Sequence, residues 1–108
     1  MANLAKWVRV ASVEELKEQN PLLVVLDNED VALYRVKDQY FATDDLCSHA
    51  EASLAEGDLK GYLIHCPRHG GQFDVRTGEA KHFPAYAPIR TYPVKVDGHD
   101  IFIDTERE

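Results

Sequence analysis

Cysteine is scarce in this chain, with two in 108 residues. One disulfide at most is possible, which excludes the cross-linked scaffold of small secreted domains. Long apolar runs are missing too. The longest, such as Leu22–Leu26, hold about five residues where a bilayer-spanning helix needs roughly 20, so no membrane anchor is expected. Basic residues are in deficit, 12 Lys plus Arg against 19 Asp plus Glu, for a net charge of −7. Such a surface repels phosphate backbones and anionic lipid, and neither nucleic acid nor a membrane is expected as a partner. Nucleophile-elbow, phosphate-loop and dinucleotide fingerprints are absent, so no catalytic site of its own is expected. The stretch Met1–Trp7 has no basic region leading into an apolar one and reads as an unprocessed, cytoplasmic start. In a reducing cytosol, two cysteines serve as ligands or reactive thiols rather than as a bridge.

What is present is the composition of a single globular domain, 44% apolar and 29% charged. Trp7-Val8-Arg9-Val10 alternates with period two and predicts a strand, with Trp7 as a core anchor. Ser12 with Glu15 forms a capping box for a short helical turn, which ends near Asn20-Pro21. The run Leu22–Leu26, the turn Asp27-Asn28-Glu29-Asp30 and the β-rich run Val31–Val36 predict a hairpin. A turn at Lys37-Asp38-Gln39 leads into the strand Tyr40-Phe41-Ala42-Thr43, and alternation stops at Asp44-Asp45. From Leu46 to Phe83, glycines at 57, 61, 70, 71 and 78 break the pattern, leaving short extended pieces at Tyr62–His65 and Gln72–Val75 and little core. Phe83-Pro84-Ala85-Tyr86-Ala87-Pro88 is expected to be a stiff loop, because each proline fixes φ and removes a donor. Tyr92, Val94 and Val96, the turn Asp97-Gly98, then Ile101 and Ile103 predict a closing hairpin. The expected fold is all-β, an antiparallel sandwich or small barrel built from both chain ends, with residues of about 44 to 83 inserted as a loop-rich subdomain.

Both cysteines lie in the glycine-broken region, and each is followed by a histidine: Cys47-Ser48-His49, then Cys66-Pro67-Arg68-His69. Thiolate and imidazole ligate soft or borderline metals, and two close-spaced pairs supply four ligands. Three readings fit: chance proximity in loops, a structural zinc ion on all four side chains, or an iron–sulfur cluster. Zinc fingers usually pair cysteine with cysteine and histidine with histidine, which argues against zinc here. In a two-iron, two-sulfide cluster with cysteines on one iron and histidines on the other, each loop gives one ligand to each iron. Cys–His alternation along the chain suits that arrangement.

CxH and CxxH at this separation, Gly70-Gly71, Gln72-Phe73-Asp74, Thr77-Gly78 and the Pro84–Pro88 loop together resemble a Rieske iron–sulfur domain. The chain is most similar to the small soluble Rieske ferredoxins of bacterial multicomponent aromatic-ring dioxygenases, including Tyr40–Thr43 and Thr91–Val96. The resemblance implies one [2Fe-2S] cluster, with Cys47 and Cys66 on the inner iron and His49 and His69 on the outer iron at the tip. It further implies a monomeric one-electron carrier in aromatic hydrocarbon catabolism, placed between an NAD(P)H-dependent reductase and a terminal oxygenase. A Rieske-like small subunit of an assimilatory nitrite reductase is the related alternative, and a zinc-stabilised interaction module the unrelated one.

The resemblance also bears on redox potential. High-potential members carry an extra cysteine in each loop, where Ala52 and Arg68 stand here, and serine and tyrosine hydroxyls on the cluster sulfurs, where Gly71 and Phe73 stand. The expected potential is at the low end of the Rieske range, about −150 mV. His65 is expected to point away from the ligand side and His82 and His99 to be surface loop residues, while Arg68 reads either as a basic contact at the docking surface or as a solvated loop arginine. The proline loop is expected to cover the cluster from a third side. The Glu14-Glu15-Lys17-Glu18 run is expected to be a solvated face.

Overall fold

A computed structural model describes residues 6–26, 29–47, 52–68, 70–82 and 87–105. It contains no α-helix among them. Three antiparallel sheets are stacked by one strand that is buried on both faces.

The first sheet joins the chain ends, with β1 (Trp7–Ser12) and β10 (Val94–Asp97) on either side of β11 (Asp100–Asp104). The second runs in the order β2 (Leu22–Val25), β3 (Asp30–Val36), β4 (Gln39–Asp44), β9 (Thr91–Tyr92). In the third, β5 (Asp58–Lys60), β6 (Leu63–His65), β7 (Gln72–Asp74) and β8 (Ala80–His82) pair in sequence. Along β3, successive side chains alternate between faces. Val31 and Leu33 join a base core with Ala11, Leu16, Ile101 and Ile103. Ala32, Tyr34 and Val36 join a second core with Cys47, Leu54, Leu59, Ile64, Cys66 and Phe73. The middle sheet is thus the floor on which the cysteine-bearing region sits.

The predicted strands at the chain ends, the hairpin of β2 and β3 and the closing hairpin of β10 and β11 all form. Asp27 and Asn28 of the first hairpin turn lie outside the described residues. The Ser12 N–H donates to Glu15 Oε1 at 2.8 Å, as a capping box requires, but only the 3₁₀ turn Val13–Glu15 follows. Glu14, Glu15, Lys17 and Glu18 are exposed. Pro93 divides what the sequence suggests is one strand: Tyr92 pairs with β4, and Val94 with β11.

Three expectations need correction. The region after Leu46 was expected to have little core, yet Leu54, Leu59, Ile64 and Phe73 are buried there at 5% exposure or less. Strands β5, β6 and β7 have three residues each, and in all three the middle residue is buried. Three residues with one or two of them buried are too few to leave a period-two signal. Trp7 is not a core anchor; it is 37% exposed, with the Lys95 ammonium 4.5 Å from its ring. His82 belongs to strand β8, opposite Gln72, and not to a loop.

An aromatic and charged ladder ties the third sheet to the second. Tyr62 packs edge-on against Phe41 with centroids 5.9 Å apart, and its hydroxyl donates to Gln39 at 2.7 Å. The Arg76 guanidinium lies 4.0 Å from the Tyr62 ring and forms a two-pronged bond to the Asp74 carboxylate at 3.0 and 2.9 Å. These bonds hold the Asp74 carboxyl below its ordinary range, the side-chain bond from Arg76 being the largest cause. The folded chain therefore binds this proton more weakly than the unfolded chain. Stability from the pair is full above the unfolded carboxyl pKa of about 4 and is lost as pH falls below it. Arg76→Gln is expected to move the acid-unfolding midpoint to higher pH while leaving stability at alkaline pH unchanged relative to pH 7, read by circular dichroism. An unmoved acid midpoint would exclude the pair from acid stability.

Candidate metal centre

The two cysteines open two loops that are closed in the same way. In the first, the Cys47 N–H donates to the Ala52 carbonyl at 3.0 Å, and the bridge Leu46–Ser53 brackets the loop. In the second, the Cys66 N–H donates to the Gly71 carbonyl at 2.7 Å, and the ladder pair His65–Gln72 brackets it. Each loop thus spans six residues from its cysteine, and the histidine falls two residues beyond Cys47 and three beyond Cys66. His49 and His69 lie outside the described residues, as do Phe83–Tyr86 of the proline loop.

Cys47 and Cys66 are both 2% exposed, form no disulfide and belong to one buried cluster. Two uncrosslinked thiols at equivalent positions of matched loops suit a shared metal group. A disulfide pair or two unrelated core cysteines would not require matched loops. The donor chemistry of the described residues fits the inner half of an iron–sulfur cluster.

The loop flanks are held by contacts that sequence reading misses. Asp45, 5% exposed, sits two residues before Cys47. Its Oδ1 accepts from Ser53 Oγ and from the Ala55 N–H, each at 2.9 Å, and its carbonyl accepts from the Leu54 N–H at 2.7 Å. The carboxylate thereby fastens both ends of the first loop. Gly57 meets the second loop from the first: a methyl group there would overlap the His65 carbonyl oxygen. Neither residue carries a sequence signal beyond an acidic doublet and a glycine in a glycine-rich stretch. The side chain of His65, in β6, alternates with buried Ile64 and is partly exposed. His99 is a surface residue whose Nδ1 lies 3.0 Å from Glu14.

Beside the first loop, Asp44, Asp45, Leu46, Cys47, Ile89 and Arg90 line a cleft of about 560 Å³. Arg90 binds Asp44 at 3.1 Å and Glu29 at 2.9 Å, and the Tyr92 hydroxyl donates to Asp44 at 2.8 Å. Burial, then the neighbouring carboxylates, push the Tyr92 hydroxyl well above its usual range, so it remains a donor. Leu46, 59% exposed, and the exposed Arg68 stand on the outer surface of the two loops.

A family profile described as Rieske [2Fe-2S] domain matches residues 6–93. The ferredoxin component of a naphthalene 1,2-dioxygenase system from Pseudomonas aeruginosa is 41% identical over 92% of this chain and 95% of its own length. The ferredoxin component of a p-cumate 2,3-dioxygenase system from Pseudomonas putida is 43% identical over 94% and 88%. A solved complex of reduced oxygenase and oxidised ferredoxin in carbazole 1,9a-dioxygenase contains a chain that superimposes with a TM-score of 0.89 at 35% identity, covering 94% of this chain and 95% of that one. A putative NADH-dependent nitrite reductase small subunit from Mycobacterium tuberculosis, with a TM-score of 0.86 at 18% identity over 98% and 100%, shares the fold alone.

Proposed function

This chain belongs to the Rieske [2Fe-2S] domain family, and from that premise we propose that it is the ferredoxin component of an aromatic-ring dioxygenase system. It is a one-electron carrier, with no substrate site of its own. When bound, the [2Fe-2S] cluster accepts and returns one electron. The observation that carries this reading is the pair of matched loops, each presenting a buried, uncrosslinked cysteine.

Cys47 and Cys66 would hold one iron, and His49 and His69 the other, so that each loop would contribute to both. Residues of about 44 to 83 would form the cluster-binding subdomain, with residues 83–88 as its cover. The buried thiolates would anchor the cluster from the core side, and the two imidazoles would supply its outer ligands, through which an electron could pass to a partner. Leu46 and Arg68 are exposed and adjoin the ligand residues in sequence, so they would offer that surface one apolar and one basic contact. The partners are an NAD(P)H-dependent reductase, which delivers electrons, and a terminal oxygenase, which takes them up. The working form is a cytoplasmic monomer. Among the described residues, no helix is long and apolar enough to cross a membrane. Relatives serving naphthalene and p-cumate oxygenases are 41% and 43% identical, so similarity to this carrier does not select the aromatic substrate.

The test is reconstitution. The purified holoprotein, reduced by a ferredoxin reductase and NADH, is expected to be reoxidised on mixing with a terminal ring-hydroxylating oxygenase and its substrate, and not with a nitrite reductase catalytic subunit. Its midpoint potential is expected near −150 mV on the scale of Rieske centres, against about −400 mV for all-cysteine plant ferredoxins. A midpoint above about +100 mV would contradict the assignment, because that is the upper, quinol-oxidising part of the range. A colourless, zinc-containing protein without acid-labile sulfide would contradict it as well.

A further inference from the structure

Asp45 is a buried carboxylate beside the first ligand loop, and the described residues give it hydrogen bonds but no ion pair. None of the ion pairs among the described residues includes it. The nearby guanidinium of Arg90 is already engaged by Asp44 and Glu29. Among the described residues, the donors on the Asp45 carboxylate are one hydroxyl and one backbone amide, both to Oδ1. These direct the carboxylate and disperse its charge without neutralising it. It lines the same cleft as Cys47 and is 5% exposed, so solvent screens it poorly.

The geometry points to Asp45 as a residue that sets the reduction potential of this carrier, its fixed negative charge disfavouring the added electron. This assignment rests on the carrier reading above. Reduction adds a negative charge to the group that Cys47 helps to hold, and a nearby carboxylate raises the free energy of that state more than of the oxidised one. The Ser53 hydroxyl acts in the opposite sense, since its hydrogen bond draws charge from Oδ1. A residue that merely braced the loop would move cluster retention and not potential.

Two variants carry opposite expectations. Asn at position 45 keeps an oxygen for the Ser53 and Ala55 donors and removes the charge. Asp45→Asn is expected to raise the midpoint by about 59 mV, a tenfold change in the one-electron equilibrium. Ser53→Ala leaves the charge and removes a donor, and is expected to lower the midpoint. Both are measured on holoprotein at pH 7 by voltammetry, with iron and sulfide content and the electron paramagnetic resonance spectrum of the reduced form as controls. A midpoint within twofold in equilibrium of the parent for Asp45→Asn, with the cluster intact, would overturn the assignment. So would shifts of the same sign in both variants. If Asp45→Asn assembles no cluster, the sign of the Ser53→Ala shift decides alone, a rise or no change overturning it. A parent protein without iron and sulfide would refute the carrier reading itself, a result distinct from these.

Discussion

Cys47→Ala and Cys66→Ala are each expected to reduce bound iron and acid-labile sulfide to background and to bleach the visible absorption, while the protein still folds. In the proposed ligand set, loss of either thiolate would leave one iron with a single protein ligand, and the other loop could not supply a replacement because the chain has no third cysteine. Folding is expected to survive because the base core of Val31, Leu33, Ile101 and Ile103 contains no cysteine and lies on the far face of the middle sheet. Each substitution also removes one small buried side chain from the second core, at a cost of about 1 kcal/mol. Iron analysis, sulfide analysis and far-ultraviolet circular dichroism separate the two effects. Retention of two irons per chain by either variant would remove that cysteine from the ligand set, and collapse of the dichroism would show that the second core cannot stand without the group.

The sequence was most legible where chemistry demands rare residues at short spacing. CxH and CxxH pointed to Cys47, His49, Cys66 and His69 because thiol–imidazole pairs so close together have few other uses; of these the structure describes the two cysteines, which are buried and uncrosslinked. The base sheets were legible for a different reason: β1, β3, β4 and β11 each have at least five residues, long enough for alternation to show. Strands β5 to β8 have three residues apiece and could not show it. Trp7 misled because aromatic size suggests burial, whereas Lys95 offers its ring a cation at the surface. Asp45 and Gly57 stayed hidden because their roles depend on contacts 8 residues away in each case, Asp45 with Ser53 and Gly57 with His65.

Gly57→Ala is expected to be strongly damaging although position 57 lies away from the ligands. At Gly57 the backbone is extended, with φ −89°, which any residue tolerates, so the constraint is space alone. An alanine methyl would collide with the carbonyl oxygen of His65, the residue before Cys66, and would also press on its carbonyl carbon and on the Leu54 carbonyl. These are backbone atoms of β6 and of the turn Leu54–Glu56, and neither can rotate aside. Relief must come from moving the second loop away from the first, which separates Cys66 from Cys47. Overpacking of this kind costs about 1–3 kcal/mol, and lower cluster occupancy would add the loss of whatever stabilisation the bound group gives. Gly61→Ala is the matched control, since Gly61 has φ +61° and open space around its Cα. It is expected to cost about 1 kcal/mol from left-handed backbone alone, with iron content unchanged. Denaturant midpoints and iron per chain for the two variants test the comparison. Equal stability with full iron in both would show that contact between the loops does not hold the cysteines in place.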